Sequence, residues 1–425
     1  MKTREYLKTV LILVLLVGMA YLTLVTWTAN NSDGDWISLF TDQNAVQEDV
    51  LENPDIDLQP LSVSVKNKAG RLSAVYDEAQ ISTVYGKVKA VFQEAIISAE
   101  RGVTVDEETW LNAIQTTPSV LCDFQCDVPM SVFSFWMGRS EQKTFEPYRV
   151  CYLCLAEIDG TVYLFGKDRS GENRFCFLTR VSEQELVENI DLMEPNGIAL
   201  AVEQDKNGQA ELLLSNKAQI PMLTSHNLVA TLEDTKINEL LKAMNFNPNT
   251  VSRHVEQDGT RIFVEDISTL KITTDGKLLY SDLREDAGFA SGLVISAEEI
   301  SLWSKVEAAR ELISSLDRYN QSYGRVYLET VTESGESVEV LFRREVGGIP
   351  IDCAGNGYCA KVRITGNRMT EVEFLLLGFE PVANSGSVLP ATLASASVPD
   401  ENTTLSLRYR MQADRSFAAD WYLVH

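Results

Sequence analysis

Seven cysteines are the residues whose spacing most invites chemistry. Cys151-Tyr-Leu-Cys154 has the two-residue gap found in zinc knuckles and in thioredoxins. The residues around this pair alternate as in a β-strand, where residues three apart point to opposite faces and lie about 10 Å apart, beyond disulfide range. Cys122 and Cys126 share one face of another predicted strand but lie farther apart still. We therefore interpret these four cysteines as small buried hydrophobic residues.

Cys353 and Cys359 differ, because residues 355–357 between them read Gly-Asn-Gly and favour a turn. A three-residue hairpin loop would place the two cysteines opposite each other. A two-residue loop would pair Cys359 with Ala354 and leave the sulfur atoms diagonal. The sequence leaves both registers open, and the odd total of cysteines, with Cys176 alone, predicts at least one free thiol.

Histidine and carboxylate patterns do not indicate a metal or catalytic centre. His226, His254 and His425 are the only histidines, and none stands at a metal-ligand spacing from another histidine or a cysteine. No nucleophile elbow, phosphate loop or dinucleotide fingerprint occurs. The 61 acidic residues are too many for any one pair to identify a glycosidase. We expect no enzyme, no cofactor and no metal site.

The overall charge excludes nucleic acid as a partner. The chain of 425 residues has a formal charge of −24, which repels phosphate backbones, and it has no compensating stripe of Lys and Arg. A content of 45% hydrophobic and 23% charged residues is typical of globular proteins. The acidity itself indicates a soluble, exposed surface.

The amino terminus predicts a single membrane-spanning helix. Residues 9–27 contain no charged side chain, and about 20 apolar residues in a helix cross a bilayer. Lys2, Arg4 and Lys8 precede this run, so the amino terminus is expected in the cytoplasm and the bulk of the chain outside it. Trp27 fits the outer membrane interface. A cleaved signal peptide is the alternative, but the apolar run is long for one and its end makes a poor cleavage site.

Small side chains recur on one face of this predicted anchor. Ala20, Thr23 and Thr26 stand at three-residue intervals and are candidates for close contact with a partner helix. The alternative is that the threonines simply suit the outer half of the span. Because only eight residues are expected in the cytoplasm, we expect any signal to pass laterally from helix to helix or through the ectodomain.

Strands grouped after helices predict an α+β fold of mainly antiparallel sheets with packed helices. Capping boxes predict helix starts at Ser182 with Glu185 and at Ser296 with Glu299. The domain prediction is a cytoplasmic stretch (1–8), a transmembrane helix (9–27), a juxtamembrane linker (28–60), and three α+β ectodomains (61–195, 196–290 and 291–425).

The order of these features resembles the YycH family of two-component-system regulatory proteins. The resemblance is carried by the anchor ending in Leu-Val-Thr-Trp27 and by five motifs: Glu107-Glu108-Thr-Trp110, Asp127-Val-Pro-Met-Ser-Val-Phe-Ser-Phe-Trp136-Met-Gly138, Asn245-Phe-Asn-Pro-Asn249, Asp258-Gly-Thr260 and Leu278-Leu-Tyr280. Gly347-Gly-Ile-Pro350 and the strands after it are similar to the carboxy-terminal unit that this family shares with its sister family, YycI.

The resemblance implies a Gram-positive bacterial membrane protein without catalytic residues. Its implied partners are a cell-wall-controlling sensor histidine kinase of WalK type, whose autophosphorylation it tunes through the transmembrane helix and ectodomain, and a YycI-like sister protein. Two alternative functions stay open: an extracytoplasmic envelope scaffold or ligand-binding protein, and a wall-modifying hydrolase. Most of the cysteines are not expected from the resemblance.

Overall fold

The computed structural model describes residues 58–138, 145–204, 210–282, 292–295, 300–353, 357–396, 398 and 404–424. Within them no helix is both long and apolar enough to cross a bilayer. The predicted anchor at residues 9–27 lies outside the described residues.

Local turn chemistry sets the first hairpin. Strands β1 (Ser62–Asn67) and β2 (Gly70–Val75) pair antiparallel. The side chain of Asn67 accepts hydrogen bonds from the N–H groups of Ala69 and Gly70, at 2.9 and 3.1 Å. Gly70 has a φ of 138°, which favours glycine at that position.

Helical periodicity and capping residues account for the helices. Helix α1 (Glu78–Ile97) buries an apolar stripe at helical spacing, and helix α4 (Glu183–Ile190) has the predicted capping box between Ser182 and Glu185. The other helices are α2 (Glu107–Gln115), α3 (Met130–Gly138), α5 (Asp234–Ala243), α6 (Leu302–Asp317) and α7 (Ala391–Ser395).

One predicted helix start is wrong. Helix α6 begins at Leu302, and its cap is Ser301, whose side chain accepts from the N–H of Ser304 while the Ser304 side chain accepts from the N–H of Ser301. Serine serves here at the position where the sequence rule expects Glu or Gln. Ser296 and Glu299, the predicted pair, lie outside the described residues.

Sixteen of the described strands form one sheet, whose main path runs β3-β7-β6-β5-β4-β13-β14-β16-β17-β12-β11-β10-β9. Pairing is antiparallel throughout except between β4 and β13, which run parallel. These strands after β2 are β3 (Glu100–Thr104), β4 (Ser119–Pro129), β5 (Arg149–Ile158), β6 (Thr161–Lys167), β7 (Arg174–Leu178), β9 (Ser252–Val255), β10 (Arg261–Glu265), β11 (Ser268–Ile272), β12 (Lys277–Asp282), β13 (Arg325–Ser334), β14 (Ser337–Val346), β15 (Ile349–Pro350), β16 (Ala360–Thr365) and β17 (Arg368–Leu375).

A second sheet has four strands in the order β18-β8-β20-β19. They are β8 (Gln219–Asn227), β18 (Leu377–Ser387), β19 (Thr404–Met411) and β20 (Ser416–Val424). Among the described residues the two sheets also meet at a parallel bridge between Ile351 and Tyr409.

The large sheet has two differently covered faces. The main hydrophobic core lies between the sheet and helices α1, α3, α4, α5 and α6. On strand β5, Leu153 and Leu155 belong to this core, whereas Cys154 and Ala156 face a smaller cluster with Trp110 of α2. This alternation is the period-two geometry of a strand.

The mixed α+β class with mainly antiparallel sheets is confirmed. Strand β4 pairs with β13, and β12 pairs with β17, so hydrogen bonds join segments that we assigned to different ectodomains. The domain boundaries themselves stay a prediction.

Candidate functional site

The sequence-predicted site residues all lie outside the described part of the chain. They are the membrane-interface residues Lys2, Arg4, Lys8 and Trp27, and the candidate helix-contact residues Ala20, Thr23 and Thr26. Their roles stay predictions.

The four cysteines predicted to be small buried hydrophobic residues are buried in the structure. Cys122, Cys126, Cys151 and Cys154 are buried free thiols, as the strand geometry predicts. Burial raises the pKa of Cys126 and of Cys154 to about 12, which keeps these thiols protonated and unreactive. Cys353 and Cys359 are also buried and free in this structure. In the described part of the chain, no group of three or more His, Cys, Asp or Glu side chains is placed to hold a metal ion.

A cluster of charged side chains lies on the face of the large sheet opposite helix α6. We call Arg169, Arg343 and Arg408, with Glu329, Asp352 and Tyr327, the arginine cluster. Arg344, the neighbour of Arg343 on β14, points to the other face and pairs with Asp317 of α6. Arg343 therefore points away from α6, because adjacent residues of a strand alternate between faces.

Arg343 occupies the centre of this cluster. Its Nη2 donates to Glu329 Oε1 over 2.8 Å, and its Nη1 donates to Asp352 Oδ1. The same two carboxylate oxygens also face the other two arginines. Glu329 Oε1 lies 3.5 Å from Arg169 Nη1, and Asp352 Oδ1 lies 3.5 Å from Arg408 Nη1. A carboxylate thus lies between Arg343 and each of the other two arginines, so positive and negative side chains alternate across the cluster.

Five segments of the chain place these groups. Arg169 is held in the β6–β7 connection by Asp168, whose buried carboxylate accepts from Ser170, Gly171 and Asn173. The side chains of Tyr327 and Glu329 come from β13, and Arg343 comes from β14. The N–H of Asp352 donates to the backbone oxygen of Tyr409 over 2.9 Å, which brings Asp352 beside Arg408 on β19.

The electrostatics of the cluster differ from one arginine to the next. Burial disfavours the charged forms of Arg169 and Arg343, but nearby groups that include Glu329 outweigh burial and raise the pKa of both guanidinium groups. Burial, and then the charge of Arg343, lowers the pKa of Arg408 from its ordinary value. Burial, and then the charge of Glu329, raises the pKa of Tyr327, so its phenol keeps its proton. The cluster can donate hydrogen bonds to an anion, but arginine does not exchange protons near neutral pH. This arrangement suits binding and not acid–base catalysis.

The sequence offers no signal for this cluster, because its members are spread over five separate segments between residues 169 and 408. Only the pairing of β13 with β14 and the approach of β19 bring them together.

A second polar feature joins the amino-terminal and carboxy-terminal helices. Phe135 of α3 stacks on Trp303 of α6 with ring centroids 3.8 Å apart, and the indole N–H of Trp136 donates to Glu307 over 2.7 Å. Both α3 residues belong to the segment from Asp127 to Gly138, one of the motifs that carry the family resemblance. The motif therefore has a packing role.

The edge strand β3 offers a different kind of surface. Within the described residues it pairs only with β7, and every residue in it except Gly102 is exposed. Val103 is 52% exposed and Leu178 of β7 is 41% exposed. An edge with free backbone groups can accept a further strand.

No protein-family model matches this sequence, and no curated protein matches it. Among solved structures the chain is similar to YycH from Bacillus subtilis, with a TM-score of 0.55 over 87% of this chain and 94% of that one. The chain has the YycH fold. Sequence identity to YycH is 9%, so this likeness concerns the fold alone. A DNA polymerase III subunit beta sliding clamp from Bartonella birtlesii aligns over 82% of this chain and 98% of its own at 9% identity, with a TM-score of 0.09 that is too low to bear on the fold.

Proposed function

We propose that this chain is a membrane-anchored, non-enzymatic regulator of a cell-wall-controlling sensor histidine kinase of WalK type. In this proposal the transmembrane helix and the ectodomain contact the kinase and tune its autophosphorylation. A YycI-like sister protein is a second proposed partner. The proposed location is the cell membrane, as a single-pass chain with its amino terminus in the cytoplasm and its bulk outside.

The YycH fold is the observation that supports this proposal most. The fold likeness covers 87% of the chain, which is most of the predicted ectodomain. It agrees with the resemblance carried by the motifs around Trp110, Trp136 and Tyr280, which was drawn from the sequence alone. The fold and the sequence motifs thus both support the proposal.

Tethering supplies the physical reason for regulation by contact. Two proteins anchored in one bilayer meet at a high effective concentration, so weak lateral contacts suffice. Small residues such as Ala20, Thr23 and Thr26 let helices approach closely within the membrane. Lateral contact between the anchors is therefore the proposed route of coupling.

An extracytoplasmic scaffold or ligand-binding protein is the second candidate function. The arginine cluster favours ligand binding, since its guanidinium groups can hold an anion without any catalytic group.

Co-extraction in detergent tests the proposed contact. The full-length chain should co-purify with the co-expressed sensor kinase. A variant with Ala20→Leu, Thr23→Leu and Thr26→Leu should co-purify several-fold less while remaining in the membrane, because the added bulk separates the helices without lowering hydrophobicity. Equal recovery of the kinase by both chains would place the contact on another helix face or in the ectodomain. Loss of the kinase from both would favour the scaffold function.

A further inference from the structure

The arginine cluster carries more positive charge than its own carboxylates neutralise. Arg169, Arg343 and Arg408 contribute three positive charges, and Glu329 and Asp352 contribute two negative ones, so 3 − 2 leaves a net charge of +1. Asp123, whose pKa is raised to about 7 mainly by burial, also interacts with the charge of Arg169, so the local excess is one charge or less near neutral pH. Arg343 is buried, which makes a positive charge costly there unless a further anion approaches, whereas the side chains of Arg169 and Arg408 are 38% and 22% exposed and are stabilised in part by water.

The hydrogen-bonding capacity of the cluster is also incompletely used. Arg343 is 7% exposed, and its buried Nε has no acceptor among the described residues. Arg408 and Arg169 reach their carboxylates only at 3.5 Å, which is longer than a charge-assisted hydrogen bond of about 2.7–2.9 Å. Arg169 also donates from Nη2 to the backbone oxygen of Gln125, and Arg408 donates from Nε to the hydroxyl of Ser406 over 3.3 Å. The donor that a further acceptor would satisfy is therefore first of all Nε of Arg343.

We propose that the arginine cluster binds a carboxylate group of an acidic ligand. A carboxylate is planar, carries one negative charge and accepts paired hydrogen bonds from guanidinium groups, which matches both the charge excess and the donors present. A phosphate monoester, with a charge near −2 at neutral pH, would overcompensate the cluster. The phenol of Tyr327 keeps its proton and can donate to the same ligand.

Neighbouring residues suit a ligand with more than one carboxylate. Arg410 lies two residues beyond Arg408 on β19, and its guanidinium carbon lies 3.6 Å from the ring centroid of Tyr422. The same ring lies 5.7 Å from the guanidinium carbon of Arg408. Arg408 and Arg410 therefore share one side of the hairpin and offer a second cation beside the cluster. This site goes beyond the regulatory proposal, and its test needs no kinase.

A glycine shapes the wall of the site. Gly357 has a φ of 78°, and a Cβ atom built there would lie 2.9 Å from Nη2 of Arg343. The backbone can approach the central guanidinium this closely only because the residue is glycine.

Binding of defined peptides to the full chain in detergent tests the proposal. The probes are an acetylated and amidated tetraglutamate, an acetylated tetraglutamine with a free carboxy terminus, and an acetylated and amidated tetraglutamine without charge. Calorimetry at physiological ionic strength, where charges are screened beyond about 8 Å, limits repulsion by the acidic surface. We expect saturable binding of a carboxylate probe and none of the uncharged peptide. The first two probes distinguish side-chain from carboxy-terminal carboxylates.

Two variants and a matched control localise the binding. Arg408→Gln should weaken the bound carboxylate probe about tenfold, the loss expected for one charge-assisted hydrogen bond. Tyr327→Phe, which retains every charge, should weaken it less. The control is Arg363→Gln, because Arg363 lies on the same sheet face but is already paired with Glu339 and Glu371. Failure of both carboxylate probes to bind, or equal losses in Arg408→Gln and Arg363→Gln, would overturn the proposal.

Discussion

The indole N–H of Trp136 donates to the carboxylate of Glu307 over 2.7 Å, and this bond joins helix α3 to helix α6 across 171 residues of sequence. Glu307 also accepts two hydrogen bonds from Arg310, at 2.6 and 2.9 Å. The half-buried carboxylate is therefore fully engaged between two helices.

Removal of the Trp136 indole N–H should destabilise the packing of helix α3 against helix α6. Trp136→Phe keeps an aromatic ring but leaves Glu307 one donor short, so we expect the free energy of unfolding to fall by about 1–2 kcal/mol. Trp303→Phe, which keeps an aromatic ring against Phe135, should cost less. Urea denaturation of the full chain in detergent, followed by far-ultraviolet circular dichroism, measures both. A larger loss in Trp303→Phe would contradict this account.

Glycine positions give a pair of opposite predictions. A Cβ at Gly166 on β6 would lie 2.1 Å from the ring of Phe175, which is fully buried and cannot move aside. Gly166→Ala should therefore cost about 1–3 kcal/mol of stability. Gly86 lies in helix α1 with no atom within 4 Å of its Cβ position. Gly86→Ala should instead stabilise the chain by roughly 0.5–1 kcal/mol. Thermal unfolding compares the two.

The stability of the fold should depend on Asp123 near neutral pH. Burial raises the pKa of Asp123 to about 7, against an ordinary value of 3.8, so its charged form disfavours the fold. This destabilisation is fully present above pH 7 and fades as the pH falls towards the ordinary pKa. Because the side chain is only half-buried, we expect Asp123→Asn to add on the order of 1–2 kcal/mol at pH 8 and little at pH 4.5. The amide oxygen can still accept from the N–H of Gln125. A benefit that grows as the pH falls would contradict the assignment.

Thiol reactivity should follow burial. Cys176 is the one cysteine of intermediate exposure, and the other six are buried. Iodoacetamide should therefore label Cys176 first in the native chain and the remaining six only after unfolding. Mass mapping without reduction should find no bond between Cys151 and Cys154. Detection of that bond would show that their strand geometry is wrong.

Local features could be predicted from the sequence, and distant ones could not. The capping box at Ser182 and the strand that holds Cys151 and Cys154 depend on residues only a few positions apart in the chain. The start of α6 was placed wrongly because Ser304 performs the capping role usually taken by Glu or Gln. The arginine cluster was missed because its carboxylates and guanidiniums meet only through strand pairing between distant segments.

Autophosphorylation of the partner kinase tests the regulatory proposal most directly. The purified WalK-type kinase is placed in liposomes with the full-length chain, with the isolated ectodomain, or alone, and incorporation of labelled phosphate is followed over time. We expect the full-length chain to change the rate of kinase autophosphorylation and the isolated ectodomain to change it much less, because only the anchored chain meets the kinase at high effective concentration. An unchanged autophosphorylation rate with the full-length chain in the same bilayer would contradict the regulatory proposal.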